Sequence, residues 1–109
     1  MQAAAFAEAI ALVNQSGLDP EKAIAVFSGS ALASPLIKRM MAAMAADDFT
    51  PNFSLKLMTK DIGYAMHEGE SRGVALQTAA SALEIFRRAV AQGMGDHDFS
   101  AVVKAGRAN

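Results

Sequence analysis

Residues 53–73, FSLKLMTKDIGYAMHEGESRG, predict one long helix with a defined start and a defined end. Ser54 is a residue type that caps helix N-termini, and Gly73 can adopt the left-handed conformation that ends a helix. At about 100° per residue, one side of this helix carries an apolar stripe. The members of the stripe are Leu55, Met58, Ile62, Ala65 and Met66. The pattern therefore predicts a helix that packs on a core through one face.

The opposite face of this predicted helix is unusual for a surface. It carries Phe53, Leu57, Lys60 and Tyr64, with Asp61 at its edge. One interpretation is that the methylene stem of Lys60 packs on apolar surface while its ammonium group stays in water. The other is that a ligand or a second domain covers this face and Lys60 supplies a positive charge. Helical spacing alone does not choose between them.

The rest of the chain repeats the same helix signals. Asp19 followed by Pro20, and Ser34 followed by Pro35, each place a capping residue before a proline at the first helical position. We predict that Gly17 and Gly93 end helices and that Asp96 caps the last one. The predicted helices span 1–16, 20–27, 35–46, 54–72, 76–92 and a short segment after residue 96. No segment alternates with period two, so we predict an all-α fold, a single bundle of about six helices.

Composition supports a single helical domain of 109 residues. Hydrophobic residues make up 52% of the chain and aromatic residues 6%, which favours closely packed helices over a sheet sandwich. The net charge of −1 argues against a nucleic acid partner. The chain has no cysteine, and its apolar opening contains Glu8 and no basic lead-in. We therefore expect neither a membrane span nor a signal peptide, and a cytoplasmic location.

Several short motifs invite a catalytic or metal-binding interpretation that their context opposes. GESRG at 69–73 matches a nucleophile elbow, but Ser71 lies in a predicted helix end and not after a strand. His67 and His97 are far apart and have no cysteine partners for zinc. The DHD sequence at 96–98 lacks the closing glutamate of a calcium loop and is better explained as a helix cap. We predict no metal site and no catalytic residue within this chain.

Four blocks, in order, resemble a known family: FAEAIALVNQSGLDPEKAIAVFSG, SPLIKRM, DDFTPNFSLKLMTKDI and AVAQGMGDHDFSAVVK. Together they are similar to the C-terminal helical domain of the β-hydroxyacid dehydrogenases. That family includes 3-hydroxyisobutyrate dehydrogenase, tartronate semialdehyde reductase and glyoxylate/succinic semialdehyde reductase, and the domain has the 6-phosphogluconate dehydrogenase C-terminal-like fold. The resemblance covers essentially the whole chain. Its most specific parts are FSLKLMTKD and GMGDHDFSA.

The resemblance implies a two-domain oxidoreductase in which a Rossmann domain binds NAD or NADP and the substrate lies between the domains. It implies hydride transfer between a small β-hydroxyacid and its semialdehyde. The general acid/base lysine of the family would then lie upstream of Met1, in a K-x-x-x-N block. Within this chain, the resemblance assigns Lys60 to the cofactor, and Phe53 and Asp61 to the substrate cleft.

Further expectations follow from the same resemblance. Met1 has no helix start signal before it, so either the initiator methionine opens the helix or the chain begins inside a longer one. On the second interpretation the Rossmann domain is absent, and the 109 residues alone bind no cofactor and are inactive. We also expect a homo-oligomer that forms through this domain. The alternative function is a stand-alone helical interaction or dimerisation module without catalysis.

Overall fold

The computed structural model describes residues 1–31 and 33–107, and within these ranges the chain is helical. The five α-helices are α1 Gln2–Gln15, α2 Pro20–Ser28, α3 Pro35–Ala46, α4 Leu55–Ser71 and α5 Gln77–Ala89. A π-helical turn, Val90–Met94, continues α5, and a 3-10 helix, Phe99–Arg107, completes the described chain. The described residues form no strand, only an isolated antiparallel bridge between Ser54 and Asp98. The predicted all-α fold is confirmed.

The predicted helix starts are confirmed by hydrogen bonds from the capping side chains. The Asp19 carboxylate accepts from the Glu21 N–H at 3.0 Å, and the Ser34 hydroxyl accepts from the Ile37 N–H at 3.2 Å. The Ser54 hydroxyl accepts from the Leu57 N–H at 3.2 Å. These bonds satisfy amides that have no partner within the first helical turn. Local sequence therefore fixes where α2, α3 and α4 begin.

The predicted helix ends agree at two positions and differ at the end of α5. Gly17 and Gly73 have φ values of 77° and 69°, as expected of residues that end a helix. Gly93 also lies in the left-handed region, with φ 90°. However, regular α5 already ends at Ala89, and the chain widens into the π-helical turn before it reaches Gly93.

The prediction that Asp96 caps the last helix is wrong. That helix begins at Phe99. The carboxylate that accepts a hydrogen bond from the Ser100 N–H in its first turn belongs to Asp98. Asp96 lies on the surface and pairs with Lys56 at 3.5 Å. A capping carboxylate usually lies two or three residues before the backbone N–H that donates to it. Asp98 lies two residues before Ser100 and so has that spacing.

The 3-10 helix lies at the centre of the core. Ala101 and Val102 are completely buried, and α1 packs along this helix. Helices α3, α4 and α5 also contact it. Other fully buried core side chains are those of Met40, Leu55, Phe86 and Ala89. The start of α4 is therefore attached to the most buried part of the domain.

Candidate functional site

Four members of the predicted second face of α4 are exposed: Leu57, Lys60, Asp61 and Tyr64. The placement of Phe53 on that face is wrong, because its side chain is half-buried against the core. The Leu57 side chain is 45% exposed and Tyr64 is 63% exposed. Lys60, between them, is also exposed, and its Nζ lies 5.9 Å from the centroid of the Tyr64 ring. A cation at that distance from a tyrosine face is weakly attracted to it, and one helical turn brings residues four apart together. The face thus presents a positive charge beside an apolar and aromatic surface.

The core stripe of α4 is confirmed except at one position. Leu55 is fully buried, and Met58, Ile62 and Met66 are half-buried. Ala65 is exposed, so its assignment to the stripe is wrong. Ala65 lies at the margin of the stripe. A long side chain such as that of methionine can reach the core from the margin, whereas the single methyl group of alanine cannot.

Phe53 and Asp61, the two residues that the resemblance assigns to the substrate cleft, differ in their burial. Phe53 precedes the first turn of α4, and its half-buried side chain packs against the core. Asp61 is exposed on α4, and it belongs to none of the ion pairs found among residues 1–31 and 33–107. Phe53 thus has one side fixed by the domain, whereas Asp61 is free to meet groups outside it.

Backbone carbonyl groups accept hydrogen bonds from the first N–H groups of α4. The N–H groups of Leu55 and Lys56 donate to the carbonyl oxygens of His97 and Gly95, both at 2.9 Å. The next N–H donates to the Ser54 hydroxyl. A helix N-terminus with free N–H groups attracts phosphates, but here those groups already have protein partners. The helix N-terminus therefore has no free N–H groups to offer an anion, and the exposed cations in the first two turns are Lys56, which pairs with Asp96, and Lys60.

Asp98 holds the turn before α4 in place, a role that the sequence analysis did not assign. Its Oδ1 accepts from the N–H groups of Asn52 and Phe53, at 3.0 and 3.2 Å. Its Oδ2 accepts from the Ser100 N–H at 3.1 Å and from the Ser100 hydroxyl at 2.5 Å. The D-x-S spacing was the available signal, because Asp often accepts from the residue two positions ahead.

The pKa of Asp98 reflects two opposing effects. Burial by itself raises the pKa of this carboxyl group, since only 6% of the residue is exposed. Hydrogen bonds from Ser100 and from the backbone of Asn52 and Phe53 stabilise the carboxylate and outweigh burial. The net result is a pKa below the ordinary value of 3.8. Asp98 is therefore ionised at neutral pH and satisfied by its partners.

An open cavity of about 310 Å³ lies beside this turn, between α3 and the start of the 3-10 helix. Arg39, Asp48 and Asn52 line it together with Asp98. Lys60 does not line this cavity. Lys60, which the resemblance assigns to the cofactor, thus lies on an open helix face and not in this cavity.

The motifs that the sequence analysis set aside occupy ordinary positions. Ser71 lies in the last turn of α4, where its hydroxyl donates to the Glu68 carbonyl oxygen at 2.9 Å. In the part of the chain that the structure describes, no three His, Cys, Asp or Glu residues are grouped as a metal site would need. Over the same residues, no helix combines the length and the apolar character needed to cross a bilayer.

A family model described as NAD-binding of NADP-dependent 3-hydroxyisobutyrate dehydrogenase matches residues 1–106. The chain belongs to this family. Glyoxylate/succinic semialdehyde reductase 1 of Arabidopsis thaliana is 35% identical over 101 residues, which cover 93% of this chain and 35% of that protein. The crystal structure of a 3-hydroxyisobutyrate dehydrogenase from Salmonella typhimurium matches with a TM-score of 0.87 and 30% identity, covering 94% of this chain and 36% of that one. The resemblance to the dehydrogenase family is confirmed.

The chain spans about a third of the length of these two proteins. A relative with a different kind of name is a cytokine-like nuclear factor N-PAC of Aedes aegypti, 31% identical over 99 residues, which cover 91% of this chain and 18% of that protein. Other relatives are named as chloroplastic or mitochondrial proteins, so the expected cytoplasmic location stays a prediction.

Proposed function

We propose that this chain is the helical domain of an NAD(P)-dependent dehydrogenase that interconverts a small β-hydroxyacid and its semialdehyde. The proposal rests on one observation, the exposed second face of α4 in a chain of this family. Leu57, Lys60 and Tyr64 lie on that face. Exposed apolar and aromatic side chains beside a cation suit a surface that another domain and a charged ligand cover. We infer that a Rossmann domain, outside these residues, covers it.

Lys60 contributes binding and orientation in this proposal. Its ammonium group is a compact charge on a flexible stem, which suits an anionic group of a dinucleotide. Because backbone carbonyls close the N-terminus of α4, the helix itself offers the cofactor no free amides there. Leu57 and Tyr64 exclude water around this contact, which strengthens a charged interaction. The residues present therefore fit one edge of a cofactor site.

The reaction needs groups from beyond this chain. When bound, NAD(P) supplies or accepts the hydride, and the family's general acid/base lysine, which we place upstream of Met1, moves the proton. Phe53 forms an apolar wall of the substrate cleft, since the core fixes one side of its ring. Asp61 is exposed and can order polar groups across the cleft. The 109 residues alone should therefore bind no cofactor and show no turnover.

The test is Lys60→Ala in the full-length enzyme. We expect its affinity for NADH or NADPH to fall about ten- to a hundredfold, as loss of one charged contact in a closed cleft predicts. Its thermal unfolding should stay close to that of the wild type, because Lys60 is exposed and outside the core. Lys38→Ala, an exposed lysine on α3, is the matched control and should change neither property. Unchanged affinity for both cofactors in Lys60→Ala would reject the proposal.

We also propose that the domain forms the subunit contact of a homo-oligomer. Large apolar side chains are exposed on α1, α2 and the turn between them: Leu12 at 70%, Leu18 at 59% and Val26 at 78%. Burial of such residues favours association. Light scattering over a concentration series should show a mass above that of one chain, and a constant monomer mass would contradict this proposal.

A stand-alone interaction module is the second candidate function. The relative named as a nuclear factor favours it, because that name describes no dehydrogenase. The coding sequence upstream of Met1 discriminates the two functions. A nucleotide-binding half with a K-x-x-x-N block favours the enzyme, whereas an unrelated sequence favours the module.

A further inference from the structure

The two most specific blocks of the sequence, FSLKLMTKD and GMGDHDFSA, are bound to each other in the structure. The Phe99 N–H donates to the Phe53 carbonyl oxygen at 2.7 Å, and the Leu55 N–H donates to that of His97 at 2.9 Å. The Asp98 N–H donates to the Phe49 carbonyl oxygen at 2.8 Å. The second block, residues 93–101, is therefore hydrogen-bonded to the start of α4 and to the segment before it.

The Asp98 side chain adds a second connection between these two segments. One carboxylate oxygen binds the backbone N–H groups of Asn52 and Phe53, and the other binds Ser100. Ser100 is only 2% exposed and belongs to the central 3-10 helix. Bonds to an ionised acceptor are among the stronger hydrogen bonds in proteins. Asp98 thus ties the turn before α4 to the core.

We propose that Asp98 is a positioning residue for the cofactor-facing side of α4, which it sets by fixing Phe53 and the first turn of the helix. The proposal rests on the proposed dehydrogenase function. Only 6% of Asp98 is exposed, and its carboxylate oxygens already bind Asn52, Phe53 and Ser100, so we expect it to act through Phe53 and α4.

Helix geometry gives the size of the effect. Lys60 lies six residues after the Ser54 cap, or about 9 Å along the axis at about 1.5 Å per residue. A tilt of about 10° at the start of α4 would therefore move the Lys60 backbone by about 1.5 Å. Misplacement of about 1 Å can lower an enzyme's rate about a hundredfold. A small change at the Asp98 turn is thus sufficient to disturb the cofactor contact.

Asp98→Asn in the full-length enzyme is the direct test. The amide keeps the shape of the carboxylate but has only one accepting oxygen, so its NH₂ group must face either the N–H groups of Asn52 and Phe53 or that of Ser100. We expect hydrogen exchange to rise at least about tenfold at whichever of these amides loses its acceptor, and the Kd for NADPH and NADH, measured by fluorescence titration, to rise about tenfold or more. Ser100→Ala removes one of the four bonds and should raise the same Kd about threefold.

The control for a purely structural role is Ile37→Ala. Ile37 is a buried residue of α3, so this change lowers stability away from the turn and should leave the cofactor Kd unchanged while the enzyme is folded. If Asp98 acts through α4, then the losses from Asp98→Asn and Lys60→Ala should not add in the double variant.

Two results would overturn the proposal. One is wild-type cofactor affinity in Asp98→Asn although the amides of Asn52 and Phe53, or that of Ser100, exchange freely. The other is a loss of affinity in Asp98→Asn and Ser100→Ala no larger than that of Ile37→Ala. Lys60→Ala, measured in parallel, reports separately on the proposed function. If only Asp98→Asn weakens binding, the proposed function fails at Lys60, and the positioning role of Asp98 that rests on it fails as well.

Discussion

Two leucines at the start of α4 offer a matched test of the two faces of this helix. Leu55 is fully buried, whereas Leu57, two residues later, is 45% exposed. Truncation of a buried leucine to alanine removes its transfer free energy and leaves a cavity, which together cost about 2.7 to 5 kcal/mol in measured series. Leu57 loses only part of its transfer free energy and leaves no enclosed cavity, so we expect Leu57→Ala to cost less than about 1 kcal/mol.

The assay is urea unfolding of the 109-residue chain followed by circular dichroism, together with thermal melts. For a domain of this size, the expected loss in Leu55→Ala corresponds to a fall in Tm of roughly 10 to 20 °C. Leu57→Ala should melt within a few degrees of the wild type. The slope of the free energy of unfolding with urea should be the same for all three proteins, which would show that the unfolded states are comparable.

The reasoning is refuted if the two leucines cost the same free energy of unfolding. A large loss at Leu57 would mean that the second face of α4 belongs to this domain's own core. A negligible loss at Leu55 would mean that the GMGDHDFSA block, residues 93–101, does not hold the start of α4. In the full-length enzyme the order of effects on cofactor affinity should reverse, since Leu57 lies beside Lys60.

Acid unfolding should depend on Asp98, whose pKa is lowered in the folded chain: its contribution to stability is complete above the ordinary value of 3.8 and is lost as the pH falls through the folded pKa. Asp98→Asn should therefore flatten the dependence of urea midpoints on pH as the pH falls through 3.8 and below, and an unchanged dependence would contradict the hydrogen bonds assigned to this carboxylate. The two glycines inside α4 should respond to alanine in opposite directions. Gly63→Ala should stabilise the chain by about 0.5 to 1 kcal/mol, because its new methyl group meets nothing within 4 Å. Gly69→Ala should destabilise it by about 1 to 3 kcal/mol, because its methyl group would lie 2.8 Å from Leu76 Cδ1; thermal melts of the pair test both signs.

The sequence was sufficient for the starts of α2, α3 and α4 and for the core stripe and exposed cation of α4. Capping residues such as Ser34 and Ser54 act within three or four residues, so local sequence reveals the helix starts. The angular spacing of side chains on a helix follows from its geometry, so the exposed position of Lys60 opposite Leu55 was also predictable. The cofactor and the substrate class came from the resemblance to a family, since no spacing within these residues specifies them.

Tertiary structure decided how the start of α4 is held and which aspartate holds it. Asp96 and Asp98 flank one histidine and look equally suited to a cap, but only Asp98 faces Asn52, which lies 46 residues earlier in the chain. The closing of α4 by the carbonyl groups of Gly95 and His97 likewise joins distant segments. Such contacts depend on how the helices pack, because a hydrogen bond requires its donor and acceptor to lie within about 3 Å of each other. The order of residues along the chain does not specify which distant groups come that close.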